Sequence, residues 1–87
     1  MKIVEGMQVT EMGDGYVAVP TGPASKVLHG IVRLNGTGLE VWKGLEEGLD
    51  EDGIVQRLME RYEVDDERAR ASVRNVVNDL SDAGLLV

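Results

Sequence analysis

The 87-residue sequence predicts an α+β domain, a three-stranded antiparallel sheet followed by three helices. Three observations predict it. Before Asn35, apolar and polar side chains alternate with the period of two that a half-buried strand needs. From Asn35 onward, apolar side chains recur at helical spacing. Gly, Pro and Asp punctuate the boundaries between these segments. A sheet and three helices that are each apolar on one side bury those sides most economically as stacked layers. The length suits one domain, residues 1–87, and leaves no room for a second core.

The first two strands are read from QVTEM and YVAVP, separated by GDG, with Asp14-Gly15 expected to take the positive φ angles of a tight hairpin. TGPASK follows as a loop, with Pro20, Gly22 and Pro23 as breakers. VLHGIVRL, residues 27–34, is the third strand. Leu28, Gly30, Val32 and Leu34 share one face, and Val27, His29, Ile31 and Arg33 share the other. The first helix runs from about Gly36 or Thr37 to Glu47, with Leu39, Trp42 and Leu45 on its apolar stripe and Val41 on the flank. Asn35 and Thr37 both suit its N-cap; a Thr37 cap would place Glu40 in a capping box. Gly48 is its C-cap. The second helix spans about 51–62, capped by Asp50, with Ile54, Val55, Leu58, Met59 and Tyr62 turned inward. The third spans about 66–83, capped by Asp65, with Ala69, Val73, Val76, Val77 and Leu80 at helical spacing. Gly84 ends it, and Leu85-Leu86-Val87 folds back onto the core.

Composition narrows the function. The chain has no Cys and no Phe, so its core is aliphatic and it holds neither disulfides nor thiolate chemistry. No apolar run reaches the roughly 20 residues of a membrane span, and MKIVEGMQV is no signal peptide, so a cytoplasmic protein is expected. The net charge is −7. Residues 1–34 balance, whereas residues 35–87 carry six basic and thirteen acidic side chains and supply the whole deficit. Nucleic-acid binding needs cations that displace counterions from phosphates, and this field has the opposite sign.

Catalytic and metal-binding patterns are missing. His29 is the only histidine and has no Cys or second His to complete a zinc site. The carboxylate clusters fall at helix ends, where capping and dipole compensation account for them. DEDGIVQRLMER does not follow the calcium-loop pattern, and NGTGLE lacks the third Gly and the Lys of phosphate-binding turns. No catalysis and no cofactor are expected. Arg68, Arg70 and Arg74 make the one local basic patch, unless acids of the second helix pair with them.

The third strand is the most functional-looking feature. A three-stranded sheet has two edges with unpaired backbone groups. VLHGIVRL contains no Pro and has only Lys26 and Arg33 to deter a partner. Such an edge beside an amphipathic helix suits β-augmentation, in which an extended peptide adds as another strand. It could instead be covered by the first strand or by a second copy of the chain.

IVRLNGTGLEVWKGLEEG and IVQRLMERYEVDDERARASVRNVVNDLSDAGLL resemble the PqqD-like family of recognition domains from ribosomal peptide modification pathways. The resemblance rests on Leu34-Asn35, Thr37-Gly38, Val41-Trp42, Tyr62-Glu63-Val64-Asp65 and the run from Leu80 to Leu85, and covers about Tyr16 to the C-terminus. PTGPASKVLHG departs from it as a long connection. The resemblance implies a winged-helix-like fold and a non-catalytic adaptor. That adaptor binds the leader of a precursor peptide as an extra antiparallel strand and delivers it to a modifying enzyme, often a radical-SAM enzyme. Carried onto this chain, His29, Gly30, Ile31, Val32, Arg33 and Leu34 would make the ladder. Val73 and Val77, with Arg70 and Arg74, would line the cleft against the third helix; Val73 and Val77 serve equally well as core. The expected partners are a precursor peptide and a modifying enzyme, with no nucleic acid and no membrane, for a monomer or weak homodimer. A winged-helix nucleic-acid-binding or regulatory module is the alternative, and a small subunit that only stabilises a larger enzyme is a third reading.

Overall fold

A computed structural model of the chain describes residues 2–21 and 32–86. Strands β1 (Met7–Met12), β2 (Gly15–Pro20) and β3 (Val32–Leu34) precede helices α1 (Gly36–Glu46), α2 (Glu51–Arg61) and α3 (Asp66–Asp82). The sheet order is β1-β2-β3, antiparallel throughout. The expected order and fold class are therefore present. The first five residues read as the third strand, 27–31, lie outside the described residues.

Register sets which face is buried. Met7 pairs with Pro20, Val9 with Ala18, Ala18 with Val32 and Tyr16 with Leu34. Alternation puts these side chains on the helix-facing side, where Ala18 and Leu34 are buried. Thr10, Val17 and Arg33 lie in register on the other face. The hairpin differs from expectation at its turn. Met12 pairs with Gly15, so Gly15 belongs to β2 and the loop is Gly13-Asp14. Gly13 alone takes the positive φ, +65°. A left-handed first loop residue has the pattern of a II′ turn, which favours Gly at that position.

Three side chains start the helices. Asn35, Asp50 and Asp65 accept hydrogen bonds from the backbone N–H of Gly38, Gly53 and Arg68 at 2.7, 2.8 and 2.8 Å. Asn35, not Thr37, therefore caps α1. Helices α1 and α3 end alike, on Gly48 at φ +84° and Gly84 at φ +76°. In each, the N–H of the following Leu reaches back across the last turn, from Leu49 to the Gly44 carbonyl and from Leu85 to the Leu80 carbonyl, both at 2.9 Å. This is the Schellman arrangement, and it returns the chain toward the core. Leu85 is buried there, as the sequence reading expected.

Trp42 fills the centre among Val41, Leu45, Ile54, Val55, Leu58, Val73 and Leu80, all essentially inaccessible. Val41 rather than Leu39 sits in this stripe, because Leu39 is only half-buried. Met59 and Tyr62, expected inside, are 37% and 40% exposed, since the interior side of α2 is already filled by Ile54, Val55 and Leu58. The N-terminal segment closes the far side: Ile3 bridges Leu86, and the Val4 N–H donates to the Leu85 carbonyl at 2.9 Å.

Helices α1 and α2 approach most closely at Gly44. A Cβ there would stand 2.7 Å from Cγ1 of the buried Ile54. Alanine is the better helix former by about 1 kcal/mol, but overpacking a filled core costs about 1–3 kcal/mol. Gly44→Ala should therefore lower the unfolding free energy by up to about 2 kcal/mol in urea denaturation. A gain in stability would show that the two helices separate freely.

Candidate functional site

The site is built from the β3–α1 corner. No residue is spared between strand and helix except Asn35, which caps α1. Gly38 makes that economy sterically feasible. A Cβ on it would stand 3.3 Å from the Asn35 Oδ1 and 3.4 Å from the Leu34 Cδ2. Trp42, one turn further on, is 1% exposed and fixes the helix in the core. The corner thus holds β3 at the edge of the sheet. Among the described residues, β3 pairs only with β2, and its other side is open.

A cleft of about 290 Å³ lies beside that edge. One wall is Val32 to Asn35 with Thr37 and Gly38; the other is Ser72, Asn75, Val76 and Asp79 of α3. These four α3 residues follow the i, i+3, i+4, i+7 spacing of a single helix face. Val76 is half-buried against the core and gives the wall its apolar contact; Asn75 and Asp79 are exposed at its rim. Ser72 also borders a small hollow with Thr37 and Tyr62, so this end of α3 lies at the corner. Asp79 lines the same wall about two turns further along α3, away from the corner.

The expected site residues separate into three groups. Val32, Arg33 and Leu34 border the cleft. His29, Gly30 and Ile31 lie outside the described residues. Val73 is fully buried in the core, and with Arg74 and Val77 it borders a second hollow, of about 310 Å³, on the Glu51 side of α3. The structure thus does not bring Val73, Arg74 and Val77 together with β3 in the cleft. The face of α3 turned to β3 lies one residue earlier in phase. The reason is that Ala69, Val73 and Leu80 are drawn into the interior, which rotates the neighbouring, mostly polar stripe toward the sheet edge. Ser72, Asn75 and Asp79 gave no apolar signal in the sequence. The recurrence of Ser72 and Val76 four apart, one step before the core stripe, is the trace that was available.

Two of the three arginines of the basic patch, Arg70 and Arg74, are neutralised. Arg70 contacts Asp52 at 2.9 Å, Asp66 at 3.3 Å and Glu51 at 3.7 Å, and Arg74 contacts Glu51 at 2.8 Å. Hydrogen bonds to Asp66 and Asp52 push the Arg70 guanidinium pKa further up. Arg61 holds Glu40 at 2.6 Å, and Arg57 forms a two-armed pair with Glu47. Among the described residues, no three His, Asp or Glu side chains gather into a metal-binding group, and no helix is long and apolar enough to cross a membrane.

A short open strand over a helix-walled cleft is the geometry of a small domain that takes an extended segment at its sheet edge. The chain belongs to the PqqD family: the family described as "Coenzyme PQQ synthesis protein D (PqqD)" matches residues 19–86. No curated protein gives a significant sequence match. Two solved structures share the fold. One is "TbiB1 in Complex with the TbiA(beta) Leader Peptide", at TM-score 0.76 and 24% identity over 99% of this chain and 94% of that one. The other is "Lasso peptide synthetase B1 complexed with the leader peptide", at TM-score 0.75 and 20% identity over 99% and 95%.

The Arg57–Glu47 pair gives a pH prediction. Hydrogen bonding from Arg57 holds the Glu47 carboxyl below its ordinary range. A carboxylate whose pKa is lower in the folded chain than in the unfolded one stabilises the fold above its unfolded pKa. That contribution is lost as pH falls through the lower, folded value. A double-mutant cycle of Arg57→Ala and Glu47→Gln should show favourable coupling at pH 7 and none once Glu47 is protonated. Equal coupling at both pH values would mean that the pair is not ionic.

Proposed function

We propose that this domain is a non-catalytic adaptor that binds the leader segment of a ribosomally made precursor peptide and presents it to a modifying enzyme. The leader adds as an antiparallel strand to β3, and alternate side chains enter the cleft against α3. The observation that carries this reading is the open β3 edge beside that cleft. Family membership supports it, as do two structures of the same fold that are described as leader-peptide complexes. Backbone ladder bonds supply affinity without sequence, and the cleft supplies selection. In this reading His29, Gly30 and Ile31 extend the ladder begun by Val32, Arg33 and Leu34. Arg70, Val73, Arg74 and Val77 support α3 from its other side. The family resemblance implies a modifying enzyme that is often of the radical-SAM class, served by an adaptor that is a monomer or weak homodimer. The nucleic-acid alternative finds no support, because Arg70 and Arg74 are already engaged by Glu51, Asp52 and Asp66.

The test is titration of the ¹⁵N-labelled domain with the leader of the precursor encoded beside it. Amide shifts are expected along Val32–Leu34 and Ser72–Asp79; saturation without movement there would overturn the reading. A second test uses proline. Consecutive strand residues turn their N–H groups to opposite edges, so one of Val32→Pro and Arg33→Pro deletes a donor to the incoming strand. That variant should fold normally and bind at least about tenfold more weakly, the scale of one ladder hydrogen bond plus a steric clash. If both folded variants bind like the parent, the ladder lies elsewhere.

A further inference from the structure

The cleft has one carboxylate, Asp79, and its place is unfavourable for the fold. It stands in the last part of α3, whose final turn carries no basic residue and also holds Asp82. A negative charge there opposes the negative end of the helix dipole. Among the described residues no cation pairs with it, whereas Glu51, the carboxylate of the hollow on the other side of α3, is engaged by Arg70 and Arg74. Among the described residues, folding therefore gives no reason for this charge.

From these observations we infer that Asp79 selects a basic residue, Lys or Arg, in the bound segment and thereby fixes its register. This rests on the strand-addition reading and sharpens it. The direction follows from the walls. Ser72 lies at the β3–α1 corner, and Asp79 lines the same cleft about two turns further along α3, a spacing that carries it from the corner toward the start of β3. An antiparallel strand on β3 enters beside Leu34 and leaves beside Val32. Its cleft-facing residues therefore meet Ser72 first, then Val76, then Asp79. The selected segment carries an aliphatic residue for Val76 and a basic residue two positions later, toward its C-terminal end. Between them, one residue faces the opposite side of the sheet. Arg33 lies on that side with Val17, so an acidic residue suits the intervening position.

The experiment is display selection of a random 12-residue peptide library on the intact domain and on Asp79→Lys and Asp79→Asn. Each selected peptide is then mapped by amide shifts. The parent should enrich Lys or Arg at one position, two after an aliphatic residue. Asp79→Lys should enrich Asp or Glu at that same position. Asp79→Asn should bind the parent's peptides about fivefold more weakly, the scale of one exposed ion pair, with an unchanged or higher melting temperature. Peptides that shift Val32–Leu34 without any basic preference, or with one that Asp79→Lys leaves unaltered, overturn the role of Asp79 alone. Selection of no peptide that shifts Val32–Leu34 overturns the strand-addition reading, and this inference with it.

Discussion

The hydrogen bond from the Gly38 N–H to the Asn35 side chain is the joint on which the architecture depends. At 2.7 Å it satisfies a helix N–H that would otherwise be left bare one residue after a strand ends. Because the cap is a single residue, α1 leaves the sheet at once and crosses beneath it. That direction carries Val41, Trp42 and Leu45 into the centre, where α2 and α3 pack around them. It also leaves β3 as the last strand, and among the described residues no segment pairs with its outer side. A longer connection would let the chain turn back across the edge. The same hydrogen bond thus organises the core and sets β3 at the edge of the described sheet.

Charge is divided between the layers in a way that suits this arrangement. The sheet half is neutral and the helical half carries the −7 deficit. Within the helical half, cations are held by acids brought close by folding: Arg57 by Glu47, Arg61 by Glu40, Arg70 and Arg74 by the start of α2. Exposed pairs of this kind contribute little to stability. Their clearer effect is to balance charge where α2 meets α1 and α3, away from the cleft that Asp79 and Arg33 border.

Much of this was legible in the residues because local chemistry decides it. Caps at Asp50 and Asp65 and terminators at Gly48 and Gly84 depend only on neighbours in sequence. The hairpin was legible as a turn, but not which residue takes the left-handed angle, since GDG allows two registers and the pairing of Met12 with Gly15 chooses one. The cleft wall was not legible for a different reason. Periodicity reveals which stripe of α3 is apolar; it does not reveal which flank of that stripe faces β3. Val73 was read both as cleft and as core, and the core took it. Pairs such as Arg61 with Glu40 depend on helices meeting in space, so no spacing rule announces them.

The bridge between Ile3 and Leu86 joins nearly the two ends of the described chain. Chain ends open at the lowest free energy in a fold, so this bridge is the first place to fray. Opening here releases Leu85 from its hydrogen bond with Val4 while the corner at Asn35, on local contacts alone, stays formed. The molecule is therefore a ring fastened by a clasp at β1's side of the sheet, and fraying there leaves the β3–α1 corner in place.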